Sequence, residues 1–294
     1  PRYTFETGKK FTKAVNVYYE DGSSIAAQSN KTTSLNETRN MTQSRTYQFY
    51  ANYQNKWTDH SLNAMVGYEG YKHKWENLGA SRNNYELDTY PYLNLGPEDY
   101  QYNSGSAGHN AYQSVFGRAM YSYKDRYMLQ ANVRADASSR FASDYRWGVF
   151  PSVSAGWMIS EENFMKGASK WLSMLKLRAS YGKSGNPVGD AFSYLSQYKI
   201  ENGAVFGKNP TQLQSLVEGA EPNIFLTWET VWKANIGLDI NFWNDLLIAE
   251  FDVYRDKRTD KILSPNAIVS SEYGIGLAKE NAGEDERYGF DAAL

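Results

Sequence analysis

The sequence predicts an all-β protein, a section of a transmembrane antiparallel β-barrel. Three observations carry this. Runs of roughly ten residues alternate apolar and polar side chains, the length a tilted strand needs to cross a bilayer. The connections between runs alternate between short and long. The apolar faces end in Tyr, Trp and Phe, as the aromatic girdles at the two membrane interfaces require.

Taken from the N-terminus, strands are predicted at 2–6, 11–20, 45–56, 61–76, 111–123, 127–136, 147–159, 173–182, 228–242, 246–257 and from 287 onward, about eleven in all. Tyr47, Phe49, Ala51 and Tyr53 set the apolar face of the third, and Leu62, Ala64, Val66 and Tyr68 that of the fourth. The alternation is clearest in three later runs. Tyr127, Leu129, Ala131, Val133 and Ala135 interleave with Met128, Gln130, Asn132, Arg134 and Asp136. Leu175, Leu177, Ala179 and Tyr181 interleave with Lys176, Arg178, Ser180 and Gly182. Ala234, Ile236, Leu238, Ile240 and Phe242 interleave with Asn235, Gly237, Asp239 and Asn241. Between the first two of these, Val149, Pro151, Val153, Ala155, Trp157 and Ile159 are assigned to lipid, and Gly148, Ser152, Ser154 and Gly156 to the lumen. Pro151 deletes a ladder donor, so a bulge or locally broken pairing is expected there.

Four links after odd-numbered strands are short, "TGKK", "TDH", "KDR" and "WND", with a longer turn at 160–172. Those after even-numbered strands, 21–44, 77–110, 183–227 and 258–286, are long and polar, and only 137–146 is modest. A soluble sandwich has no reason to gather its long loops at one end, whereas outer-membrane barrels pair short periplasmic turns with longer extracellular loops. A secreted β-rich glycan-binding or glycan-cleaving module, built as a sandwich or propeller, is the alternative this pattern weighs against. A passive porin-like channel shares the pattern.

Composition narrows the class. Net charge is −2, without the basic stripe that nucleic-acid binding requires. Hydrophobic residues reach only 41%, yet aromatics reach 15%, with 24 Tyr and 8 Trp, which disordered chains lack. The absence of cysteine excludes disulfides and thiol chemistry. No apolar run reaches transmembrane-helix length. Pro1 opens without a signal-peptide pattern and "ERYGFDAAL" reads as an interrupted strand, so an internal piece of a longer polypeptide is expected.

Five ordered blocks carry a family resemblance: "VRADASSRFASDYRWGVFPSVSAGWMISEENFM", "WLSMLKLRASYGKSGN", "TWETVWKANIGLDINFW", "FDVYRDKRTDKIL" and "ENAGEDERYGFD". Together they resemble the SusC/RagA family of TonB-dependent outer-membrane transporters of Bacteroidetes-type bacteria. The last block is more acidic than the family pattern, and residues 1–130 match in style alone. The resemblance implies that 1–294 is part of a plugged barrel of 22 strands, with the plug and the TonB-engaging segment upstream. It also implies a SusD-like surface lipoprotein over the mouth, energy from the TonB–ExbB–ExbD complex, and glycan oligomers or oligopeptides as cargo. A scaffold role in a larger outer-membrane complex is a further reading.

No cofactor, metal or catalytic residue is expected. "YGKSGN" lacks the glycine a phosphate loop needs, since Leu177 stands there. His60, His73 and His109 have no ligand-like spacing, and Glu161/Glu162 and Glu284/Asp285/Glu286 read as solvated charge. The sequons at Asn30, Asn36 and Asn40 read as polar extracellular loop. The residues expected to contact substrate or lid are Trp75, Tyr85, Tyr90, Tyr92, Tyr100 and Tyr102, in a polar loop over 75–102 whose flat rings suit sugars or peptides. The plainer reading, which the residues favour, is a loop folded on its own tyrosines. On the strand 173–182, Leu177→Arg is expected to destabilise far more than Arg178→Leu.

Overall fold

The computed structural model describes residues 1–14, 16–20, 22, 24–26, 32–87, 89–206, 211–266 and 270–294. Among these, fourteen strands are seen: β1 (Arg2–Thr12), β2 (Asn16–Tyr18), β3 (Ser24–Ala26), β4 (Ser34–Trp57), β5 (His60–Asn83), β6 (Gln101–Tyr123), β7 (Tyr127–Ser138), β8 (Trp147–Met158), β9 (Leu172–Asn186), β10 (Tyr198–Phe206), β11 (Thr211–Glu218), β12 (Glu229–Phe242), β13 (Leu247–Leu263) and β14 (Glu280–Ala293). Ten form one sheet in the order β1-β4-β5-β6-β7-β8-β9-β12-β13-β14, while β2–β3 and β10–β11 are separate two-stranded ribbons. Each sheet strand neighbours the next sheet strand in sequence, the up-and-down order of a barrel wall.

Several expectations are corrected. "TGKK" is no turn: β1 runs unbroken through it, paired with β4 from Arg2↔Ser44 to Thr12↔Ser34. Of the strand expected at 11–20, Phe11 and Thr12 belong to β1 and Asn16–Tyr18 form the short β2, while residue 15 lies outside the described residues. β4, β5 and β6 extend far into segments read as loop, so Asn36 and Asn40 lie on β4, while Asn30 falls outside the described residues. The reason is that ladder hydrogen bonds form in water as well as in lipid. Loss of apolar alternation therefore marks the membrane surface rather than the strand end. The link 187–228 carries the β10–β11 ribbon, which was not anticipated.

Short links join β4 to β5, β6 to β7 and β12 to β13. Lys124 and Asp125 take left-handed φ values of 55° and 53°, and the Arg126 N–H donates to the Tyr123 carbonyl, so this turn has the twist that matches paired strands. Pro151 produces no bulge. The β7–β8 register passes unbroken through Val133↔Pro151, and the β8–β9 ladder starts one residue later at Ser152↔Gly182, so the missing donor falls where that ladder stops.

The chain divides into two compact units, Pro1–Thr46 with Tyr71–Ala111, and Tyr47–Gly70 with Tyr112–Leu294. In the first, Leu35 is fully buried, and Tyr85 packs edge-on against Phe11 at 5.7 Å. In the second, β8 shows the expected alternation, with Val149, Val153 and Ala155 exposed and Gly148, Ser152 and Ser154 half-buried. Ile159 falls just beyond β8, in a 3-10 turn.

The outward face of the second unit has an aromatic belt at the short-turn end. Trp57 stacks on His60 at 5.8 Å, His60 lies 4.9 Å from Tyr123, Tyr123 lies 6.3 Å from Tyr127, and Tyr127 lies 6.4 Å from Trp157. Trp171 stacks on Phe242 at 6.0 Å further along. A second aromatic level comes ten residues up each strand, Trp147 above Trp157 on β8 and Trp232 above Phe242 on β12. Ten residues at about 3.4 Å each, on a strand tilted about 40°, rise roughly 26 Å, which matches the apolar band of outer-membrane barrels.

Glu162, in the link after β8, secures this belt. It accepts hydrogen bonds from the Tyr127 hydroxyl (2.5 Å) and the Trp157 indole N–H (3.1 Å). The Tyr127 bond first, then the Trp157 bond, hold its carboxyl below the ordinary value of 4.5. A carboxylate depressed on folding stabilises above its ordinary value and loses that contribution as the pH falls through the lower folded value. An acid-induced change in tryptophan fluorescence is therefore expected below pH 4.5, absent in Glu162→Gln. The same transition in the glutamine variant would show that another group is responsible.

Candidate functional site

The inner face of the second unit is polar. β7 contributes Gln130, Asn132 and Arg134, β8 Ser152 and Ser154, β9 Lys176 and Arg178, β12 Asp239 and β13 Asp252. Arg178 binds Asp239 through Nε at 2.8 Å and Asp252 through both terminal nitrogens at 2.8 and 2.7 Å. The register Arg178↔Gly237↔Asp252 puts a glycine between them, and a Cβ there would collide with the guanidinium. Gly237 thus lets Arg178 lie across β12 to reach a strand two places away. Arg134 likewise binds Asp136 (2.6 Å) and Ser114 (2.7 Å) and lies over the Phe116 ring. A groove of about 640 Å³ runs along this face, lined among others by Gln54, Asn63, Gln130, Lys176 and Arg178.

This is a surface of hydrogen-bonded amides, hydroxyls and paired charges. It suits holding polar partners rather than breaking bonds. Among the described residues no group of His, Asp and Glu is placed to hold a metal ion. Arg178→Leu would leave two carboxylates without their cation. It is expected to cost about 1–2 kcal/mol, below a buried-pair loss because water reaches the site. Adding Asp239→Asn and Asp252→Asn should recover most of that loss in urea unfolding of the detergent-solubilised protein. No recovery would show that the arginine stabilises by packing.

The six aromatic residues expected at the site are distributed over three elements. Trp75 belongs to β5, where its indole lies over Gly108 of β6, and Tyr102 belongs to β6. Tyr85, Tyr90, Tyr92 and Tyr100 lie in the link 84–100. Tyr85 is only 6% exposed, so it is core, and its hydroxyl has no hydrogen-bond partner among the described residues. Tyr90, Tyr92, Tyr100, Tyr102 and Trp75 present exposed rings, with Lys9 4.5 Å above Tyr92.

Sequence reasoning missed a compact cluster at the long-loop end of the second unit. Phe141, Phe150, Leu226 and Trp228 are buried together, with Ile262 packed against them. The Phe150 ring fills the space over Gly148 and Gly185, where any Cβ would overlap it. Trp228 meets Phe150 at 5.3 Å and Phe141 at 5.7 Å, and its indole N–H donates to the Arg146 carbonyl at 2.9 Å. Arg140 donates to the Pro187 and Gly189 carbonyls, and Asn281 bonds Thr227 and Asp260. These residues come from all five quoted blocks or their immediate neighbours, so the blocks encode one structural plate. The available signal was Phe141, the one large wholly apolar side chain in "SSRFASDYR".

An antiparallel wall with an aliphatic outer face, aromatic belts, a hydrogen-bonded inner face and short and long links at opposite ends defines a transmembrane β-barrel protein. The chain belongs to the TonB-dependent receptor family. Residues 2–294 match the domain described as "TonB dependent receptor-like, beta-barrel". TonB-dependent receptor P26 of Formosa agariphila is 32% identical over 238 residues, covering 80% of this chain and 23% of that protein. TonB-dependent receptor SusC of Bacteroides thetaiotaomicron is 36% identical over 192 residues, covering 64% of this chain and 19% of that protein. The chain thus spans about a quarter or less of these relatives. The RagAB peptide importer in its open-open state superposes with a TM-score of 0.83 at 24% identity, over 99% of this chain and 30% of that one. The likeness to RagAB, at 24% identity, is one of fold. The family is one of outer-membrane transporters and receptors, not enzymes.

Proposed function

We propose that this chain forms part of the wall of a plugged outer-membrane importer that takes up glycan oligomers or oligopeptides. The plug moves under energy from TonB–ExbB–ExbD, and a SusD-like lipoprotein closes the mouth. The observation that carries the reading is that the match to the TonB-dependent receptor barrel runs from residue 2 to residue 294. Similarity to SusC, and a fold shared with a peptide importer, support nutrient uptake with a lipoprotein partner. A wall of this width needs a plug, and an outer membrane offers neither nucleotide nor ion gradient, so the work has to come from the inner membrane. Trp75, Tyr90, Tyr92, Tyr100 and Tyr102 offer ring surface to cargo or lid, with Tyr85 supporting them from beneath.

The test is deletion of the full-length gene, followed by growth on defined oligosaccharides or oligopeptides as sole nutrient. Loss of growth on one class, restored by the intact gene only while TonB is functional, is the expected result. Uptake that persists without TonB would replace this reading with a passive channel. Purification of the full-length protein in detergent should bring a SusD-like lipoprotein with it. Substituting the five exposed rings by alanine should weaken cargo or lipoprotein binding without loss of the barrel.

A further inference from the structure

The outward face carries a cationic site at the level of the upper aromatic belt. Trp232 of β12 is paired on one side with Lys183 of β9 and on the other with Lys257 of β13, so the three share one row and one face. Tyr181 stacks on Trp232 at 5.3 Å, and the Lys183 ammonium lies 5.7 Å above the indole ring. Strand spacing puts the two lysine backbones about 10 Å apart, close enough for both ammonium groups to converge on one anion above Trp232. The next row beneath holds Tyr181, Ala234 and Arg255, and the row below that is aliphatic, with Ala179, Ile236 and Val253. Nearby charges are Arg255, bound to Glu286 at 2.5 Å, and Glu284, bound to Lys257 at 2.5 Å. Lys183 forms no ion pair with a described residue within 4.0 Å.

We propose that Lys183 and Lys257, on either side of Trp232, bind a phosphate of a phosphorylated glycolipid in the outer leaflet. The proposal rests on the reading of this face as embedded in an outer membrane. Two ammonium groups match the charge of a phosphate monoester, and their place at the top of the apolar band is the height of a lipid headgroup rather than of a soluble cargo. The Trp232 and Tyr181 rings present amphipathic surface to the headgroup sugar. Glu284 holds Lys257 while the site is empty and competes with the phosphate when it arrives.

The test uses full-length protein in detergent, titrated with diphosphorylated lipid A, with lipid A stripped of its phosphates, and with inorganic phosphate, and read by native mass spectrometry. Each of K183Q and K257Q is expected to weaken diphosphorylated lipid A binding about fivefold. E284Q, which retains both cations, is expected to tighten it. The stripped lipid should bind weakly and respond to none of the three. Unchanged affinity of the K183Q/K257Q protein, or equal binding of the stripped lipid, overturns the proposal. Equal competition by inorganic phosphate reduces it to a general anion site and overturns the lipid assignment. A wild-type protein that forms no heat-modifiable barrel in detergent defeats the membrane reading and the proposal together, whereas a barrel that retains no lipid A defeats the proposal alone.

Discussion

Phe150→Ala is expected to cost about 3–5 kcal/mol, the largest loss of any single substitution considered. Phe150 is 9% exposed, and its ring is enclosed by Phe141, Leu226 and Trp228 over the bare backbone of Gly148 and Gly185. Neither glycine has a side chain to move into the space, so the cavity stays open. The first effect should appear at the links 139–146 and 219–228, which hold each other through Trp228–Arg146 and Thr227–Tyr145. A urea midpoint that falls together with faster proteolysis in these links is the expected result. A variant with wild-type midpoint and unchanged cleavage would show that the plate does not stabilise the wall.

Leu177→Arg should cost about 2–4 kcal/mol, because it places a cation on the lipid face near mid-band. Leu177 lies in the row Trp157–Leu177–Leu238–Phe251, which is apolar throughout. The adjacent Arg178 points the other way, to Asp239 and Asp252. The comparison therefore tests register, since a slip of one residue exchanges the two faces. Arg178→Leu is expected to be the smaller loss, but not a negligible one once its two carboxylates are counted. Equal losses from the two substitutions in heat-modifiability gels would sink the assignment of faces.

Local periodicity made the membrane-embedded parts of the wall readable. Leu175–Tyr181 and Ala234–Phe242 alternate because lipid and lumen impose opposite polarity on successive side chains. At 34–44, 77–83 and 101–110 that contrast is absent, so continuous strand has the sequence of a loop. "TGKK" differs for a related reason: Gly8 and two lysines resemble a turn but fit an antiparallel pairing, Gly8↔Thr38. The candidate rings suffered from this directly, since Trp75 and Tyr102 stand on strands. The plate around Phe150 is invisible to local pattern because its members come from three separate stretches, around Phe141, at Leu226 and Trp228, and at Ile262, which no local period joins. The family blocks marked these positions without revealing that they touch.

The ten-residue interval between aromatic levels, repeated on β8 and β12, works as a molecular gauge. Two strands set independently to the same height leave little freedom for the protein to ride up or down in the bilayer. Outer membranes are thinner than average, and a protein measured for them meets a hydrophobic mismatch in long-chain phospholipids, costing fractions of a kcal/mol per Å. The lipids around it then have to thin, or neighbouring copies have to cluster. Acyl-chain length is thus a variable to fix before comparing any two preparations of this protein.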